Sequence, residues 1–321
     1  MAKKFSFKSI LSNFMVGSKI DFMRIHKLVI IFSIVLSILS ISLVTTRGLN
    51  LGIDFSGGVL IEAQFQNNVE FSKIRELLDK KEFGEITLQN FDDKNFIIKV
   101  AQNKDVDQNQ TIKLIKTTLD NNFSNIQYRK TDFVGPQIGG ELVKKGLLAL
   151  LSSFAFIMIY IWIRFDWQFG IGAIVALIHD AILVLGFYAL TGLEFNSTSI
   201  AAILTVIGYS INDSVVIYDR IRENLRKFKA MDLSELINLS INSTLSRTIL
   251  TSLTTLLALI SLMAFGGEAL KSFSIATFFG IVAGTYSSIY ISAPILLYVN
   301  PRNKKSTKKS SEHHKKTADN N

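Results

Sequence analysis

Cysteine is absent from the 321 residues, which excludes disulfides and thiolate metal sites and points to no particular redox compartment. Charge is scarce: Asp, Glu, Lys and Arg make up 19% of the chain against 48% hydrophobic residues. That balance suits a polytopic membrane protein better than a soluble one. The groupings that conventional enzymes need are missing too. No nucleophile triad, metal-ligand cluster or phosphate loop occurs, and the Gly57-Gly58 pair is too sparse for nucleotide binding. It reads instead as the turn into a strand. An enzyme is therefore not expected, nor is any cofactor or metal.

What the sequence has is apolar runs. A membrane span needs about 20 mostly apolar residues. The first, residues 28–46, follows Arg24, His26 and Lys27 and precedes Arg47. It is too long for the core of a cleaved signal peptide and reads as an uncleaved anchor. Five more follow at about 146–164, 169–190, 197–218, 246–265 and 273–298. Six spans put both termini on one side. The basic segments then share that side: the arm 1–27 (Lys3, Lys4, Lys8, Lys19, Arg24, Lys27), the turn at Arg164, the loop 219–245 with Arg247 beyond it, and the tail 300–321. By the positive-inside rule this side is the cytoplasm. Lys144 and Lys145 are minor exceptions. From Asn300 onward seven Lys or Arg face two acids. Beside membrane helices such a tail is expected to meet anionic lipid, not nucleic acid.

Residues 47–145 form the one large polar segment, with twelve Lys or Arg and fourteen Asp or Glu between Arg47 and Glu141. GVLIEAQFQ (58–66) alternates like a strand. Phe71, Ile74, Leu77 and Leu78 recur at helical spacing. ITLQNF and NFIIKVA read as strands joined through Asp92-Asp93-Lys94-Asn95. Ile112, Ile115 and Leu119 mark a second helix, and NIQYRKTDFV closes as a strand. The order β-α-β-β-α-β is the ferredoxin-like pattern. The expected architecture is a polytopic helical membrane protein with six spans and one α+β ferredoxin-like domain between spans one and two. Dispersed charge of mixed sign makes that domain an interaction module.

An ionisable side chain inside a bilayer costs about 2.5–3.5 kcal/mol even on the lenient insertion scale, so such residues face a partner or a cavity. His179, Asp180, Asp213 and Arg247 are the candidates. Asp213 lies about 7–8 Å inside the cytoplasmic end of its span by helical rise. It is beside Asn212 and continues a small or polar stripe through Thr198, Ala202, Thr205 and Tyr209. Arg247 opens the next span at comparable depth and is followed by Thr251, Thr254 and Ala258. A charge pair between Asp213 and Arg247 would ease both burial costs. Residue types leave two readings open: a structural ion pair, or a functional site. Asp180 and His179, near the middle of span three, are likewise either a hydrogen-bonded helix contact or part of a proton path. Gly280 and Gly284 form a GxxxG, extended by Thr277 and Ser288, which lets helices approach closely.

Several segments together resemble the SecD/SecF family of bacterial protein-export membrane proteins. Leu51-Gly-Ile-Asp-Phe-Ser-Gly-Gly58 is similar to its GIDFTGG signature, carried here by Gly52, Asp54, Gly57 and Gly58 with Ser56 in place of Thr. Val134 to Leu142, with Gly135 and Pro136, resembles its VGP…G-x-EL segment. Ala176 to Asp180, Ile207 to Asn224 and Leu245-Ser-Arg-Thr248 resemble its AL-x-HD, G-Y-S-x-N-D and L-S-R-T elements. The resemblance covers residues 22 to 300. It implies a resistance-nodulation-division type bundle with a periplasmic domain, pairing with a SecD subunit, and a place beside the SecYEG channel, with YajC and YidC as further candidates. It implies proton-motive-force-driven export of preproteins, with Asp213 and Arg247 conducting protons and Asn212, Tyr209, Thr205, His179 and Asp180 as candidate support. Two alternatives of other classes are half of a proton-coupled exporter and a passive translocon scaffold.

Overall fold

The computed structural model describes residues 20–78, 86–90, 93–101 and 108–302. The basic arm before Ile20, the tail beyond Arg302 and Asp92 of the expected strand connection lie outside the described residues. The chain divides into two compact units. One is Asn50–Leu150 with Glu194–Ile200; the other comprises the remaining segments.

The first unit holds a four-stranded sheet. Its elements are a short helix α2 (Ile53–Ser56), β1 (Gly58–Phe65), α3 (Phe71–Leu78), β2 (Ile86–Asn90), β3 (Asn95–Val100), α4 (Gln108–Asn122) and β4 (Ile126–Val134). The strand order is β2-β3-β1-β4 with every pairing antiparallel, the ferredoxin-like arrangement expected from the element order. Side-chain alternation sends Val59, Ile61, Ala63 and Phe65 of β1 to one face. There they pack with Phe96, Ile98 and Val100 of β3 and with Ile74, Leu78, Ile115 and Leu119 of the two helices. Burying each large apolar side chain of this kind stabilises by about 1.5–3 kcal/mol. The opposite face carries a smaller cluster of Ile53, Leu60 and Ile97.

Strand β1 needs the Gly57-Gly58 pair. Gly57 has φ 71° and ψ 165°, and Gly58 has φ 123°. The Gly57 conformation is essentially restricted to glycine, and a side chain there costs about 1–3 kcal/mol. Gly57→Ala is therefore expected to destabilise this unit by about that amount. The readout is a lower melting temperature of the detergent-purified chain, and an unchanged one would contradict the assignment.

Among the described residues six helices are long and apolar enough to cross a membrane. They are α1 (His26–Arg47), α5 (Pro136–Arg164), α6 (Trp167–Thr191), α7 (Ser197–Lys227), α8 (Leu233–Phe265) and the pair α9 (Gly267–Ser287) and α10 (Ala293–Val299), joined by a π-helical turn at Ser288–Ser292. Pro294, which has no N–H to give the helix ladder, is the second residue after that turn. Helix α1 turns Val29, Ser33 and Ser40 inward and leaves Leu28, Ile31 and Ile38 exposed, as lipid contact requires. Helix α5 likewise leaves Phe156 and Ile163 exposed. The interior of the bundle combines an apolar cluster around Phe165, Phe169 and Tyr218 with small polar residues: Ser210, Ser214, Ser274, Thr277, Ser287, Ser288 and Ser292 are all buried. A Cβ on Gly280 would stand 2.2 Å from Val206 Cγ2, and one on Gly284 would stand 3.1 Å from Ser210 Cβ. The GxxxG thus brings α9 and α7 into close contact, with packing rather than hydrophobicity as the attraction.

Candidate functional site

Helix α7 carries Asp213 fourteen residues before its last residue, and α8 carries Arg247 fourteen residues after its first. The short connection 228–232 makes the two helices antiparallel, so the two residues lie at one level. Asp213 is buried, at 7% exposure, and Arg247 is exposed. The charge of Arg247 acts on the Asp213 carboxyl, yet no direct ion pair or hydrogen bond joins them. Among the described residues no donor reaches the Asp213 carboxylate at all. The contact pair that depth alone suggested is not made. Height on a helix follows from residue count, but lateral reach depends on how each helix is rotated about its own axis.

The stripe on α7 is split by that same rotation. Ala202 is fully buried, Thr205 is half-buried, and Tyr209 and Asn212 are exposed beside Asp213. Thr205 donates its hydroxyl to the Ala201 carbonyl. The Thr255 hydroxyl of α8 donates to the Tyr209 oxygen at 3.2 Å. Thr254 and Ala258 continue the open face past Arg247. A polar, partly open seam therefore runs along α7 and α8 with a buried carboxylate at its edge. Below it, charges pair at the surface: Arg164 with Asp219 at 2.7 Å, and Glu223 with both Arg220 and Lys227.

Asp180 is treated differently. It is fully buried and satisfied. The Ser210 hydroxyl of α7 donates to its Oδ2 at 2.5 Å, and the Ser287 hydroxyl of α9 donates to the same oxygen at 2.7 Å. His179 Nδ1 lies 2.9 Å from Oδ1. Against an ionised carboxylate, which can only accept, Nδ1 would be the protonated nitrogen of His179. His179 is 5% exposed, its ring lies against Tyr286, and its Nε2 has no hydrogen-bond partner among the described residues. Asp180 thus ties α6, α7 and α9 together at one buried point. Sequence spacing could not show this, because the three helices meet only in the fold.

The signature glycines gather elsewhere, in the sheet-containing unit. The backbone of Asn50 to Gly52 pairs with Phe195 of the α6–α7 connection: Phe195 N donates to Asn50 O, and Gly52 N donates to Phe195 O, both at 2.8 Å. A Cβ on Gly52 would lie 2.6 Å from Glu194 Oε1. A Cβ on Gly139 of α5 would lie 3.2 Å from the Asp54 carbonyl. Gly135 precedes α5 and Pro136 opens it. Asp54 Oδ2 accepts from Ser197 N at 2.9 Å, and Asn196 Oδ1 accepts from Thr198 N at 3.0 Å, so both cap the start of α7. The capping role of Asp54 was legible only from its partner's side. The span expected from about residue 197 fixed where the helix begins, but nothing local names the distant carboxylate. Among the described residues no group of three or more His, Asp or Glu is placed to hold a metal ion.

Comparison with known proteins fits this arrangement. Residues 114–302 match the family model described as protein export membrane protein SecD/SecF, C-terminal, and residues 42–69 match the SecD/SecF GG motif. The protein translocase subunit SecF of Rickettsia bellii is 55% identical over 278 residues, covering 86% of this chain and 92% of that one. The subunit of the same name from Rickettsia rickettsii is 53% identical over 289 residues, covering 89% and 94%. Among solved structures, SecDF of Thermus thermophilus, described as a translocon-associated membrane protein, matches with a TM-score of 0.82 at 37% identity. That match covers 90% of this chain but 40% of the SecDF chain, which is accordingly much longer. The matched signatures are the segments that build the glycine cluster and the Asp213 seam, and the chain belongs to the SecD/SecF family of protein-export membrane proteins, alongside the SecF translocase subunits.

Proposed function

We propose that this chain acts with SecD as a proton-driven accessory subunit of the Sec translocase, promoting export of preproteins across the bacterial inner membrane. The observation that carries the proposal is Asp213: a carboxylate buried within a membrane-spanning helix, level with an arginine, and given no donor among the described residues. Burying an unsatisfied charge is costly, so such a group is retained where its protonation or its partner changes. The open seam through Tyr209, Asn212, Arg247 and Thr254 is where the SecD subunit's corresponding helix docks and supplies a second acidic residue. In this reading the chain is multi-pass in the inner membrane with both termini in the cytoplasm and the sheet domain in the periplasm, an orientation supported by the basic loop between α7 and α8. SecYEG is the channel served, YajC and YidC are further members of the assembly, and the basic tail meets anionic lipid. Asn212, Tyr209 and Thr205 line the approach to Asp213, while His179 and Asp180 form a second polar centre.

Protonation of Asp213 alters its balance with Arg247 and with the SecD acid, which shifts helix packing and moves the periplasmic domain. One charge crossing the membrane potential yields about 2.3 kcal/mol per 100 mV. The test is co-reconstitution of the chain with SecD and the channel in liposomes. An imposed proton gradient should raise preprotein export above the ATP-driven level and above that of liposomes lacking this chain. Equal export with and without the gradient would favour a passive scaffold. Extrusion of a small molecule with normal export would favour an exporter half.

A further inference from the structure

The connection between α6 and α7 is bound into the sheet-containing unit by four separate contacts, none of which the proton chemistry uses. The first is the parallel bridge between Leu51 and Phe195. The second is the ring contact of Phe55 and Phe195, with centroids 5.7 Å apart. The third is the Asp54 carboxylate on the first N–H of α7, where a negative charge also suits the helix dipole. The fourth is an ion pair of Lys99 Nζ with Glu194 Oε2 at 2.6 Å, with side-chain exposures of only 9% and 20%. Lys99 is on β3, and its alternation with Phe96, Ile98 and Val100 sends it to the face opposite the helices. A lysine buried there with one carboxylate partner is costly to leave unpaired. Gly52 lets the strand pass flush against Glu194, since a Cβ would collide with it.

From this grip α7 runs unbroken to Asp213. The sixteen helical steps from Ser197 to Asp213 span about 24 Å. By contrast, the entry from α1 passes through Gly48 at φ 72°. We infer that the clasp of Leu51, Asp54 and Lys99 on Glu194, Phe195 and Ser197 is the transmission that makes the periplasmic domain follow α7. Asp54, Lys99 and Glu194 are positioning residues. They carry no protons; they convert a shift of α7 into domain movement. This inference rests on the proton-driven reading above and adds where the force passes.

The experiment uses the full chain with SecD and the channel in liposomes, reading gradient-driven proton uptake and preprotein export on the same sample. Asp54→Ala and Glu194→Gln should leave proton uptake near wild type while gradient-dependent export falls several-fold. The exchange Lys99→Glu with Glu194→Lys should recover export relative to either single change. Because the chain has no cysteine, Leu51→Cys with Phe195→Cys gives a clean cross-link across the bridge. Once oxidised, it should leave export intact, since the two segments move as one body. Loss of export on cross-linking would overturn the inference. So would a normal ratio of export to proton uptake in Asp54→Ala and Glu194→Gln, or an equal fall of both readouts, which would make the clasp a folding element only. Absence of proton uptake in the wild type would instead sink the proton-driven reading itself.

Discussion

Asp213→Asn is expected to abolish the gradient-dependent part of export while leaving the fold intact. The amide keeps the size and shape of the side chain but cannot take up or release the proton. Moving one charge through 100 mV supplies about 2.3 kcal/mol, which biases a two-state equilibrium about fifty-fold. The variant loses that bias, so export with a gradient should fall to the ATP-driven level. Stability should move the other way or not at all. The wild-type carboxylate is buried without a donor among the described residues, and a neutral amide relieves its desolvation. Proton-driven export into inverted membrane vesicles, at equal protein levels, measures the first effect, and the melting temperature of the purified subunit measures the second. Undiminished gradient-dependent export would make Asp213 a packing residue. A large fall in melting temperature would mean the carboxylate holds a structural contact.

The distinction between Asp213 and Asp180 shows where sequence reading stops. Six spans were legible because lipid demands long apolar runs, and the sheet's element order because alternation and helical spacing are local. The level of Asp213 and Arg247 was legible too, since a short connection between antiparallel helices fixes their heights. Whether they touch was not, because rotation about the helix axis is set by packing against α9, through contacts such as Gly280 on Val206. Asp180 was ambiguous for a related reason. Its two serine donors come from α7 and α9, thirty and 107 residues away, and no local pattern pairs them. The clasp was missed altogether: Lys99 and Glu194 lie on a strand and a turn far apart in sequence, each an ordinary surface residue on local evidence. The expected span began at about 146, whereas α5 begins ten residues earlier at Pro136, in a stretch that carries Gly139 and Gly140. In the fold the lack of a side chain at Gly139 lets the helix lie against the Asp54 and Phe55 carbonyls.

Asp180→Leu is expected to destabilise the bundle by about 3–5 kcal/mol, the usual cost of breaking a buried polar centre by removing one member. The substitution strands the Ser210 hydroxyl and His179 Nδ1 without their acceptor, at about 1–3 kcal/mol for each stranded donor, while the Ser287 hydroxyl keeps the Gly284 carbonyl. Asp180→Asn should be much milder. Its carbonyl oxygen can face the two serines, while its NH2 group meets His179 as the other tautomer, with Nδ1 accepting. The melting temperature of the purified chain should therefore fall steeply for Leu and slightly for Asn. Removing both sides of an interaction costs less than removing one. Adding Ser210→Ala and Ser287→Ala to Asp180→Leu should therefore recover part of the loss. That triple variant also decides the role of Asp180 in export. If stability returns and gradient-dependent export returns with it, Asp180 serves by joining α6, α7 and α9. If stability returns but export does not, Asp180 and His179 belong to the proton route, and the route extends from Asp213 into the centre of the bundle.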